Sequence, residues 1–164
     1  MTKMSKVKDY KYTECGLDNV ILKDMPYQED DDGNIIFRIP AVNLLHAVIA
    51  FGIVMSESGM LPDELKFIRT ELGLTQSELG ERVQKDGQTV GRWERGDNPI
   101  DQTAEVVIRM MIIEHLEGIG FFNLIDVDES EMRVENLSRK CIPSTRNDPI
   151  KISPDGNKGY RLVA

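Results

Sequence analysis

The sequence predicts a mainly α protein that begins with a small α+β region. Three observations carry that reading. Apolar residues recur at helical spacing between Leu61 and Leu116. The helices in that stretch open on residues suited to capping. Before Pro40, short β-prone runs alternate with turn residues. The expected division is residues 1–57 for the α+β region, 58–118 for a helical domain, and 119–164 for a partly flexible extension.

Tyr10–Thr13, Asn19–Leu22 and Asn34–Ile39 are the β-prone runs, broken by Cys15-Gly16 and by an acidic turn over Glu29–Gly33. Pro40 suits the first turn of a helix over Ala41–Met55, where Val42, Leu45, His46, Ile49 and Ile53 share a face. Ser56–Gly59 reads as a linker. In Pro62–Leu72 the stripe Leu65, Ile68, Leu72 makes an amphipathic helix, and Gly73 follows where a left-handed cap is favoured. Thr75 with Glu78 forms a capping box, and Leu74 with Leu79 a hydrophobic staple. Asp86 caps the next short helix, anchored by Val90 and Trp93. Asp101 caps a last helix to Leu116 that is apolar nearly all round, so either Ala41–Met55 or a second subunit must cover it. Ser138–Asn157 is rich in Pro, Ser, Asn, Asp and Lys.

Composition excludes several classes. The longest apolar run, Ala47–Met55, is too short to cross a bilayer, and the lysines of Met1–Tyr12 precede no apolar core, so neither a membrane span nor a secretory signal is expected. Cys15 and Cys141 fit no ligand spacing, which implies a reduced, cytoplasmic protein without a metal site. No nucleophile arrangement, carboxylate pair or phosphate-binding loop is present, so neither an enzyme nor a cofactor is expected. His46 reads as a satisfied core histidine. The net charge of −8 is unevenly spread: Asp24–Asp32 holds five acids and no base, whereas Leu61–Gly96 is nearly balanced. Screening within about 10 Å lets acid on one face coexist with anion binding on another.

The helix anchored by Val90 and Trp93 is the informative element. Its other positions carry Gly87, Gln88, Thr89, Gly91, Arg92 and Arg95. Small residues permit close approach to a major groove; glutamine can pair with adenine and arginine with guanine. The run Leu74-Thr75-Gln76, Glu78-Leu79, Gln88-Thr89-Val90, Arg92-Trp93-Glu94-Arg95-Gly96 closely resembles the Cro- and lambda-repressor-like helix-turn-helix family. The resemblance implies a sequence-specific DNA-binding regulator, a repressor that meets a palindromic operator as a homodimer. It assigns double-stranded DNA to Gln76, Gly87, Gln88, Thr89, Gly91, Arg92 and Arg95, with Gln76 meeting phosphate or the recognition helix. Trp93 and Glu94 close the motif structurally. Two positions depart from the family: Gln84 stands for the usual turn glycine, and Lys85 for a packed apolar residue.

Upstream, Tyr12–Leu22 and Leu44-Leu45-His46 are similar to regulators related to the MqsA-type antitoxins. Those use four cysteines for zinc, and this region offers only Cys15, so the metal does not carry over. The likeness implies an alternative reading: an interaction module that masks a toxin protein, with DNA binding secondary.

Overall fold

The computed structural model describes residues 6–142, 148–156 and 159–163. The chain forms two compact units, residues 1–49 with 148–164, and residues 50–147. The division differs from the one read in the sequence. Residues 119–164, expected as an extension, supply structure to both units.

The first unit is built on β1 (Val7–Lys11), β2 (Val20–Glu29), β3 (Ile35–Phe37), β4 (Ile150–Asp155) and β5 (Gly159–Leu162). They form one sheet in the order β1-β2-β4-β5, with β3 also pairing β2. The protein is therefore less purely helical than its sequence suggests. β2 and β4 run parallel, Val20 opposite Ile150 and Leu22 opposite Ile152, while the other pairs are antiparallel. Along β2 the inward residues are Val20, Leu22 and Met25. The odd spacing is absorbed at Asp24, whose φ of 54° marks a bulge opposite β1, where the register shifts between Lys8 and Tyr10. Asp9 holds that bulge, its carboxylate accepting from the Asp24 amide at 3.1 Å and from Lys23 at 2.5 Å. Inside lie Tyr12, Leu17, Leu45 and Tyr160. His46 is satisfied as expected, its Nε2 lying 3.0 Å from the Tyr12 hydroxyl.

A helix α1 (Val42–Val54) carries the chain from the first unit into the second. The second unit then adds α2 (Pro62–Glu71), α3 (Gln76–Arg82), α4 (Gly87–Arg95), α5 (Gln102–Gly118) and α6 (Val134–Lys140). Two short 3-10 turns, Phe121–Asn123 and Glu129–Met132, lie between α5 and α6. Its core joins Leu65, Ile68, Leu79, Val90, Trp93, Ile108, Ile112, Leu116 and Leu137. The caps fall where local chemistry puts them: Thr75 Oγ1 accepts from Glu78 N, and Asp101 Oδ1 from Ala104 N at 2.9 Å.

The face of α5 is not the one apolar spacing suggests. Ala104, Ile108, Ile112 and Leu116 turn inward together with Glu105 and Arg109, whereas Met110 is exposed and Val106 and Ile113 are half-buried. Arg109 is wholly buried because it has a full set of acceptors. It donates to the carbonyls of Val54, Ser56 and Ser58 at 2.5, 3.1 and 2.7 Å, and to Glu105 at 3.3 Å. Glu105 in turn accepts from the Met60 amide at 2.6 Å. The group thus closes the C-terminal end of α1 and fixes the linker to α2. Beside it, burial pushes the Cys141 thiol up to about 12, with help from Glu105.

Arg109→Met removes the cation and strands both Glu105 and the linker carbonyls. It should destabilise the protein by about 3–5 kcal/mol, the usual effect of breaking a buried ion pair. Urea unfolding measures it; an unchanged midpoint would show the linker to be held by other contacts.

Candidate nucleic-acid interface

Helices α3 and α4 meet through a short turn whose chemistry departs from the usual one. Gln84 adopts a φ of 60°, the left-handed region that glycine occupies most cheaply. This turns Lys85 back so that its amide bonds Gly80 O at 2.8 Å. A Cβ on Gly80 would lie 2.5 Å from the Lys85 carbonyl, so only glycine fits there. The Lys85 side chain consequently points to solvent, while Val83 is buried. Asp86 then caps α4, its Oδ1 accepting from Thr89 N at 2.7 Å. Hydrogen bonds from Thr89, with a smaller contribution from the charge of Arg92, hold the Asp86 carboxyl below its ordinary value.

One open groove runs along this pair of helices. Gln76, Ser77, Asp86, Gly87, Gln88, Gly91, Arg92 and Arg95 line it. Six of the seven residues singled out from the sequence come together there; Thr89 is not among the lining residues. Gln88, Arg92 and Arg95 are exposed. Gly91 is instead buried. A Cβ there would lie 3.1 Å from Arg95 and 3.3 Å from the Gln76 amide oxygen, and one on Gly87 would lie 2.7 Å from Ser77 Oγ. These two glycines let α3 and α4 approach, a role distinct from clearing space for a ligand. Ser77 and Asp86 were missed as groove groups, because the sequence offered them only as a helix residue and a cap.

A buried carboxylate orients the groove. Glu94 Oε1 accepts from Arg69 Nε at 2.6 Å; Oε2 accepts from Arg69 Nη2 at 3.3 Å and from Gln76 Nε2 at 2.6 Å. Arg69 also donates to Leu74 O at 3.0 Å. Gln76 is thereby tied to α4 through Glu94. Glu94 is committed to Arg69 and Gln76, and Glu78 to the Thr75 cap at 2.7 Å, so neither of these acids is spent on Arg92. Arg95 pairs with Asp97 at 3.0 Å, both more than half exposed, a bond weak enough for a phosphate to displace.

Two short helices joined by a tight turn, the second presenting amide and guanidinium groups along an open groove, define a helix-turn-helix. Residues 65–110 match the family model described as helix-turn-helix, and this segment is of the Cro/C1 type, as its motifs imply. The match points this segment to DNA binding and regulation. No curated protein and no solved structure matches the chain. Among the described residues no cluster of three or more metal-ligating side chains occurs, and no helix is long and apolar enough to cross a membrane.

Gln84→Gly should raise stability by about 1 kcal/mol, since it relieves a left-handed glutamine. Thermal melting tests this; a lower melting temperature would mean that the Gln84 side chain contributes more than its backbone costs.

Proposed function

We propose that the protein is a sequence-specific transcription regulator, a repressor that occupies a palindromic operator as a dimer and blocks promoter access. The observation that carries the reading is Arg92, exposed in the groove on a helix whose position is held by Glu94, Asp86 and Trp93. A guanidinium so placed suits the paired acceptors of guanine, and Gln88 beside it suits adenine. Arg95, Ser77 and the Gln76 amide flank them as phosphate partners. The half-exposed apolar side of α5, Val106, Met110 and Ile113, is the surface we assign to the second copy. Two recognition helices would then protect half-sites about 10 base pairs apart, or a multiple of that turn. The acidic balance of the chain is compatible with this, because exposed charges beyond about 10 Å are screened.

A second reading draws on the first unit, a compact sheet that contributes no residue to the groove. There the protein masks a toxin, and DNA binding serves its own regulation. The two readings part on one experiment: in the second, a full-length Arg92→Ala chain still captures its partner protein and still neutralises it.

Selection of DNA by the purified protein, followed by titration of the selected and scrambled sequences at several salt concentrations, tests the first reading. Arg92→Ala should lose about 1–3 kcal/mol of specific binding and relax one base position per half-site. An unchanged base preference would remove Arg92 from the reading face. Met110→Glu should leave the melting temperature near that of the parent while shifting the mass seen by light scattering to a monomer. A dimer that survives the substitution would place the interface elsewhere.

A further inference from the structure

We infer that Asp86 determines base specificity in the groove: its carboxylate accepts a hydrogen bond from the exocyclic amino group of a cytosine and penalises DNA that offers none. The inference rests on the DNA-binding reading of the groove and names a base that this groove selects.

Asp86 is the one acid among the eight lining residues, which are otherwise cationic or neutral. Capping alone does not call for an acid there. Asparagine and serine cap a helix about as well, and neither repels a phosphate. An ionised carboxylate at the tip of a recognition helix lowers affinity for any polyanion it approaches, unless a donor meets it. The side chain is exposed, and the cap uses only part of its capacity: Oδ1 accepts from Thr89 N, and an ionised carboxylate has about four lone-pair sites. Its carboxyl is held ionised by the Thr89 bonds and by Arg92, so at neutral pH it can only accept.

Base chemistry narrows the partner. In the major groove only cytosine N4 and adenine N6 present donors. Adenine N6 lies beside the N7 acceptor, which faces a carboxylate unfavourably; the neighbour of cytosine N4 on that edge is a C–H. Cytosine is therefore the base that a carboxylate selects. Arg92 lines the same groove and its charge reaches Asp86. Guanidinium and carboxylate together match what a G·C pair displays, two acceptors on guanine and one donor on cytosine. An acid in the groove also fits a chain of net charge −8, which would hold random DNA weakly and depend on the correct base for affinity.

The test uses the full chain, its Asp86→Asn variant, which keeps the cap and loses the charge, and Asp86→Ser as a second cap. Each is melted, put through DNA selection, and titrated against the selected and scrambled sequences. The expected result is melting like the parent and a ratio of specific to random affinity about tenfold lower in both variants. The selected cytosine should give way to adenine with asparagine, whose amide suits adenine N6 and N7, and to no preference with serine. If both variants keep the parent's base preference and affinity ratio, Asp86 is a cap alone and the inference fails while the groove reading stands. If the parent chain itself selects no sequence, the groove reading fails and Asp86 falls with it.

Discussion

Glu94 is the group on which the geometry of the groove depends. It stands on α4, accepts a two-point contact from Arg69 on α2, and holds the amide of Gln76 at the start of α3. Three short helices have little apolar area with which to define their mutual angles, and hydrophobic contact is tolerant of small slips. A carboxylate bonded to two elements while anchored on a third admits far fewer arrangements. A buried ion pair contributes little net stability, because desolvation offsets attraction, yet each wrong packing leaves a charge unmatched. Trp93 and Val90 hold α4 against the core, and Glu94 sets where along that core it sits. Arg92, one residue before Trp93 and two before Glu94, inherits its aim from both.

Arg109 and Glu105 apply the same logic deeper in the second unit. Three backbone carbonyls in five residues end the helix α1 and begin a linker with no regular partner. One guanidinium satisfies all of them. This explains why a long charged side chain occupies the interior of α5 while Met110 lies outside. Hydropathy alone assigns those positions the other way round.

What could be read from the sequence follows the range of the interactions concerned. The caps at Thr75, Asp86 and Asp101 involve groups three residues apart, and each was legible as a short pattern. The groove itself was legible because its residues sit within twenty positions of one another. The Arg69–Glu94 pair was not, since nothing local distinguishes that arginine from Arg82 or Arg95. Gly91 was legible as a residue near the groove but not as a contact with Gln76, which requires both helices in place. The greatest departure is the sheet. Ile150 and Ile152 lie in a stretch of polar and turn-forming residues, and it is pairing with distant Val20 and Leu22 on one edge and with β5 on the other that makes a strand of them.

That pairing has a consequence for biosynthesis. Along the sequence, the second unit falls between β2 and β4, two strands of the first that pair in parallel. On a ribosome adding about 5–20 residues per second, β2 emerges many seconds before the strand that completes its sheet. During that interval the second unit has time to fold, while Val20 and Leu22, already beside β1, still lack Ile150 and Ile152 on their other edge. The first unit is therefore completed last, although residues 1–49 of it are made first. Its early strands carry Lys8, Lys11 and Lys23 among the apolar residues, charges that discourage a waiting strand from pairing with the wrong edge.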